Sequence, residues 1–193
     1  APDDADLHLQ HAGLLLAQRQ IGAAGQALER STTMNPNEFS AYVMQSHLAL
    51  GRDDVDEAER LLRLAERVDP DSPELGALQG MVALRRGDAD RALAVLSATA
   101  AQLPNDPRVL YALGFAYLGK DMLAFAEQAF RRVLELSPDN HSLRGLLVQL
   151  ALRQGHLDRA AEVMREVLAT PQGNTAGMRR LAAELELASG QPQ

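Results

Sequence analysis

Pro36, Pro70, Pro104 and Pro138 stand 34 residues apart, and so do Ala24, Ala58, Ala92, Ala126 and Ala160. Four residues after each of these alanines comes a large apolar side chain: Leu28, Leu62, Leu96, Phe130 and Met164. Two columns kept in register over five periods, and a third over four, define a repeat array. A unit of this size cannot bury a core alone, so each must stack on its neighbours.

Each period reads as helix, turn, helix, turn. In the fourth, Leu110, Leu113, Gly114 and Tyr117 follow the i, i+3, i+4, i+7 spacing of one helix face, and Leu123, Ala126, Phe130 and Val133 form the face of a second helix. Composition agrees: Ala and Leu, which lose little rotamer freedom in a helix, dominate the 46% apolar content, and β-branched residues are scattered. Ser72-Pro73 and Asp106-Pro107 read as an N-cap followed by Pro at the first helical position, with Asn37 and Asn140 at equivalent caps. Gly87 and Gly155 fall between the paired helices, where a left-handed residue ends a helix. The alanine column is expected to face Ala12, Ser46, Gly80 and Gly114 on the first helices, so that small residues let the axes approach to about 8–10 Å.

At these residues the chain resembles the tetratricopeptide repeat (TPR) family. Its fourth unit carries the pattern best, with Leu110, Leu113-Gly114, Tyr117, Ala126, Phe130 and Pro138. The resemblance implies an all-α, right-handed superhelical solenoid: five helix pairs over about 5–38, 39–72, 73–106, 107–140 and 141–174, and a capping helix over about 175–189, some 11 helices in one domain. Met178, Leu181, Ala182 and Leu185 carry the apolar face of that last helix, so the C-terminal end reads as finished and the N-terminal end as less clearly capped. Three departures are visible. Gln45-Ser46 replace Leu-Gly and Gly51 comes early, which predicts a short first helix in unit two with a longer loop through Asp53-Asp54. Val148 replaces Gly in unit five, with Pro171 one residue early, and His11 replaces Leu in unit one.

The resemblance also implies a ligand groove lined by the first helices. The groove positions are Val43, Met44 and His47 in unit two; Leu78, Met81 and Arg85 in unit three; Arg108, Tyr111, Phe115 and Leu118 in unit four; and Gln149 in unit five. The Lys, Asn and Arg clamp with which chaperone-binding members hold a C-terminal carboxylate is missing. Met and the Tyr/Phe pair suit an apolar or amphipathic segment instead, because Met adapts its shape and Tyr combines area with one hydrogen bond.

Charge and chemistry narrow the functions. A net charge of −7, with the 19 basic residues dispersed among 26 acids, argues against nucleic acid. The absence of Cys excludes disulfides and thiolate sites and leaves the compartment open between bacterial cytoplasm and periplasm. No apolar run reaches the ~18 residues of a membrane span. The Ala1-Pro2 start reads as a processed end or a cut from a longer chain, and Lys120, the one lysine, hints at a GC-rich bacterial genome. His8 and His11 share a helix face at i, i+3 without a third metal ligand, and read as half-buried repeat residues. Asp53, Asp54, Asp56 and Glu57 lack the central Gly and spacing of a calcium loop and suit a helix N-terminus. Arg85-Arg86, Arg131-Arg132 and Arg179-Arg180 read as solvated pairs answered by nearby acids. No catalytic residue, metal or cofactor is expected. The expected function is a protein-interaction scaffold binding a polypeptide segment, in a bacterial assembly, secretion or maturation complex. The alternatives are a partner-recruiting arm of a larger enzyme, such as a TPR-fused transferase, or a self-assembling homo-oligomeric scaffold.

Overall fold

The computed structural model describes residues 4–169 and 175–190. Among them are eleven helices and no strand. They are α1 (Ala5–Ala17), α2 (Ile21–Met34), α3 (Phe39–Gly51), α4 (Val55–Val68), α5 (Pro73–Arg85), α6 (Ala89–Gln102), α7 (Pro107–Gly119), α8 (Leu123–Leu136), α9 (His141–Arg153), α10 (Leu157–Leu168) and α11 (Ala176–Ser189). Pro171 lies outside the described residues.

One turn joins the two helices of every repeat. Its middle residue is left-handed in all five: Arg19 (φ 60°), Asp53 (61°), Gly87 (76°), Asp121 (56°) and Gly155 (75°). The residue after it donates its N–H to the carbonyl five residues back, as Gln20 does to Leu15, Asp54 to Ala49 and His156 to Ala151. This closure satisfies carbonyls that the helix end leaves open. It also corrects the expectation for unit two: α3 has 13 residues, like α1, α5, α7 and α9, and its loop is no longer. Asp53 takes the conformation that Gly takes at 87 and 155, and Asp54 caps α4 by accepting from Glu57 N at 3.1 Å. Asn37 is a second correction. Glu38 is the N-cap of α3, and Asn37 donates its backbone N–H to Asn35 Oδ1 at 3.1 Å. Asn140 does cap α9, accepting from Leu143 N.

The helices gather into two compact units, α1–α6 and α7–α11. In the first, each helix packs on the next, and α3 also meets α5. Ala24, Ala58 and Ala92 are fully buried, as are Leu28 and Leu96. Ser46 Oγ donates to Ala58 O at 3.1 Å, tying α3 to α4. At Gly80 the close neighbour is Leu96 rather than Ala92: a Cβ there would sit 2.5 Å from Leu96 Cδ2 and 2.9 Å from Cδ1. The small residue on the first helix is thus a socket for the large residue four positions after the alanine.

The second unit repeats this logic with an aromatic. Phe130 is fully buried, and a Cβ on Gly114 would fall 2.7 Å from its Cδ1 and Cζ. Its core runs through Val133, Leu143, Leu147, Val148, Met164 and Val167 to Leu185 on α11. Val148, which replaces the small residue in the fifth repeat, is fully buried. Met178 of α11 reaches over Gly145, with Sδ 3.2 Å from where a Cβ would be.

Candidate functional site

The residues expected to line a groove divide by exposure. In the first unit Val43 and Leu78 are buried and offer a ligand almost no surface. Both belong to the core shared by α3, α4 and α5, because the apolar stripe of a helix packed on both neighbours is broad. Met44 and Met81 are half-buried, and His47 and Arg85 are exposed. Arg85 is held by Asp53, Nη1 to Oδ1 at 2.6 Å, so the left-handed residue of one repeat anchors a first-helix arginine of the next.

In the second unit Tyr111 is 42% exposed on α7. Its ring meets Phe115 edge-on with centroids 4.9 Å apart, and both rings meet buried Phe130, at 5.9 and 5.3 Å. Leu118 is half-buried, while Arg108 and Gln149 are exposed. Asp106 caps α7, accepting from Arg108 N and Val109 N, and pairs with the Arg108 guanidinium at 2.7 Å. That guanidinium, hydrogen-bonded to the Asp106 carboxyl, holds it below the ordinary carboxylate range. Arg153 and Asp121 pair at 2.8 Å, repeating the Arg85–Asp53 contact two repeats on.

The remaining candidates resolve into structure. His8 is half-buried and His11 exposed. Of the acidic run, Asp54 is a cap, Asp53 and Asp56 hold Arg85 and Arg86, and Glu57 grips Arg60 through two 2.7 Å bonds. That bond to Arg60 lowers the Glu57 carboxyl below its ordinary range. The arginine pairs meet acids as expected: Arg86 with Asp56 and Glu59, Arg132 with Glu135, and Arg180 with Glu184.

One feature of the second unit has no counterpart in the sequence reading. A hollow of about 640 Å³ opens beside α8 and the start of α10. Phe125, 51% exposed, stacks on Tyr117 with centroids 5.4 Å apart and planes at 29°. Nearby, Glu127 is only 5% exposed. Its Oε1 accepts from Arg131 Nε and pairs with Arg159 Nε, each at 3.0 Å, and its Oε2 accepts from Gln154 Nε2 at 3.2 Å. The signal was available in the repeat register. At the place of Phe125 the other repeats have Ala23, Glu57, Arg91 and Arg159.

The stacked helix pairs can now be set beside known proteins. A tetratricopeptide repeat profile matches residues 15–82 and 121–185, and a second one matches 77–141. The chain belongs to the tetratricopeptide repeat family. Members of this family are in general protein-interaction scaffolds rather than enzymes. Protein POLLENLESS 3-LIKE 2 of Arabidopsis thaliana is 40% identical over 60 residues, which are 31% of this chain and 14% of that protein. Among solved structures, PilW, described as a widely conserved type IV pilus biogenesis factor, superposes with a TM-score of 0.85 at 18% identity, covering 98% of this chain and 87% of its own. A chain of the APC/C hetero-tetramer Cut9–Hcn1 gives 0.83 at 21% identity, covering 99% of this chain and 38% of that one. These likenesses establish the TPR fold. The chain spans well under half the length of both the Arabidopsis protein and that hetero-tetramer chain.

Proposed function

We propose that the five repeats act as one domain whose first helices hold an apolar or amphipathic polypeptide segment. The observation that carries this reading is Tyr111. Its ring is 42% exposed, yet it is fixed by edge contacts to Phe115 and buried Phe130. A rigid, half-exposed aromatic gains contact area on binding at low entropic cost. Half-buried Met44 and Met81 supply adaptable apolar surface in the other unit. Arg108 and Gln149 add polar edges. Assembly with protein partners is also what the Cut9–Hcn1 hetero-tetramer does by its own description.

The test is a panel of amphipathic helical peptides titrated against the wild-type chain and a Tyr111→Ala/Phe115→Ala variant. The variant should bind about tenfold more weakly or worse while its helical circular dichroism persists, as expected for a central aromatic anchor. Equal affinities would remove the first-helix surface as the binding face. A second reading is supported by relatives much longer than this chain: the repeats are then the partner-recruiting arm of a larger protein. The length of the native open reading frame on either side of these residues separates the two.

A further inference from the structure

We infer that the hollow beside α8 is a second docking site, for a partner peptide that presents an aromatic side chain with an Asp or Glu within a residue or two of it. The floor is the first argument. Phe125 is an exposed ring at a position where the repeat elsewhere places small or charged residues. Nothing in the repeat requires it, and it is already stacked on Tyr117, so an incoming ring meets an ordered aromatic face. Ala129 stands where three other repeats have Leu61, Val95 and Val163, and the shorter side chain leaves room beside that face.

The charged wall is the second argument. Glu127 is buried and fully partnered, so it is a positioning group rather than a ligand contact. Arg131 and Arg159 both reach it through Nε. Among the described residues this leaves the Nη edges of both guanidinium groups without a hydrogen bond, on side chains 40% and 45% exposed. Arg132 is different, being tied to Glu135 and Asn105. Two arginines on one buried carboxylate leave a local positive charge on a chain whose net charge is −7. A guanidinium edge held in place favours a planar carboxylate that can accept two parallel hydrogen bonds. The hollow is open, since Phe125, Gln128 and Arg132 on its lining are all exposed. A free small molecule needs most of its surface buried, which such a hollow does not supply. A peptide, anchored by two adjacent side chains and making further contacts outside, does not need that enclosure.

The test uses a displayed peptide library selected on the immobilised chain and counter-selected on Phe125→Glu. That variant restores the residue type of Glu57 at an exposed position, so its fold is expected to survive, and helical circular dichroism checks this. Peptides lost on the variant should pair an aromatic with an acid. Synthesised individually, they should bind Arg159→Ala about tenfold more weakly than wild type and lose affinity as salt rises. They should bind Tyr111→Ala/Phe115→Ala as they bind wild type, which separates this site from the first-helix surface. Three results would overturn the inference: no peptide depending on Phe125, dependent peptides without an acid and indifferent to Arg159, or a Phe125-dependent dimer in sedimentation, which would make a second copy the occupant.

Discussion

Replacing Gly114 by Ala tests the socket packing directly. In an open helix position the change should stabilise by about 1 kcal/mol, because Ala has the higher helix propensity. At Gly114 the added Cβ would lie 2.7 Å from two carbons of the Phe130 ring, whereas carbon atoms sit comfortably at about 3.5–4.0 Å. The ring must retreat by roughly 1 Å to restore that spacing. It is fully buried and wedged against Tyr111 and Phe115, so overpacking should cost about 1–3 kcal/mol. Gly13→Ala is the control. It lies inside α1, and a Cβ there meets nothing within 4 Å. The two substitutions should therefore differ by about 1–3 kcal/mol although the chemical change is identical. Stability in a repeat array is partly local, so amide hydrogen exchange should be read for α7–α8 and α1–α2 separately, alongside urea unfolding followed by circular dichroism. A double-mutant cycle completes the test. Gly114→Ala with Phe130→Leu reproduces the Ala12 and Leu28 pair of the first repeat, both of which are fully buried. The pair should be less destabilised than the sum of the single changes by about 1 kcal/mol or more. If Gly114→Ala stabilises as much as Gly13→Ala, the socket account is wrong.

Two further predictions concern single residues. Arg19 is exposed and left-handed at φ 60°, so Arg19→Gly should remove backbone strain and raise the thermal midpoint, by up to about 1 kcal/mol in stability; a lower midpoint would show that this turn is not strained. Asp106 has a folded-state carboxyl pKa lowered chiefly by its hydrogen bond to Arg108. Its contribution is complete above the ordinary carboxylate pKa of the unfolded chain and is lost as pH falls through the lower folded value. Asp106→Asn keeps a capping acceptor without titrating, so an acid series of thermal midpoints should fall more steeply for wild type than for the variant; parallel curves would refute the assignment.

Most of the fold was legible because its signals are local and repeated. The 34-residue spacing of Pro and Ala places every helix pair, and Pro73, Pro107, Asp106 and Asn140 mark helix starts by their own backbone chemistry. The loop of unit two was misread because Asp53 does what Gly does at 87 and 155, and a residue name alone does not disclose a left-handed backbone. Of the proposed binding face, the first-helix positions follow from the family resemblance, but their exposure does not. Leu78 stands one period after Met44, yet packing by neighbouring helices buries Leu78 and leaves Met44 half-open.

The hollow of the second unit lay beyond the sequence for a similar reason. Phe125 and Tyr117 are eight residues apart on different helices, and Glu127 gathers Arg131, Gln154 and Arg159 from three different places in the chain. The sequence by itself determined the period, the helix starts at Pro73, Pro107 and His141, the alanine column and the family. Tertiary structure alone decided that glycines are sockets for Leu96 and Phe130, which apolar residues remain exposed, and which guanidinium edges are left open. Backbone signals act within a few residues of themselves, whereas exposure and side-chain partnership depend on whatever the next helix brings alongside.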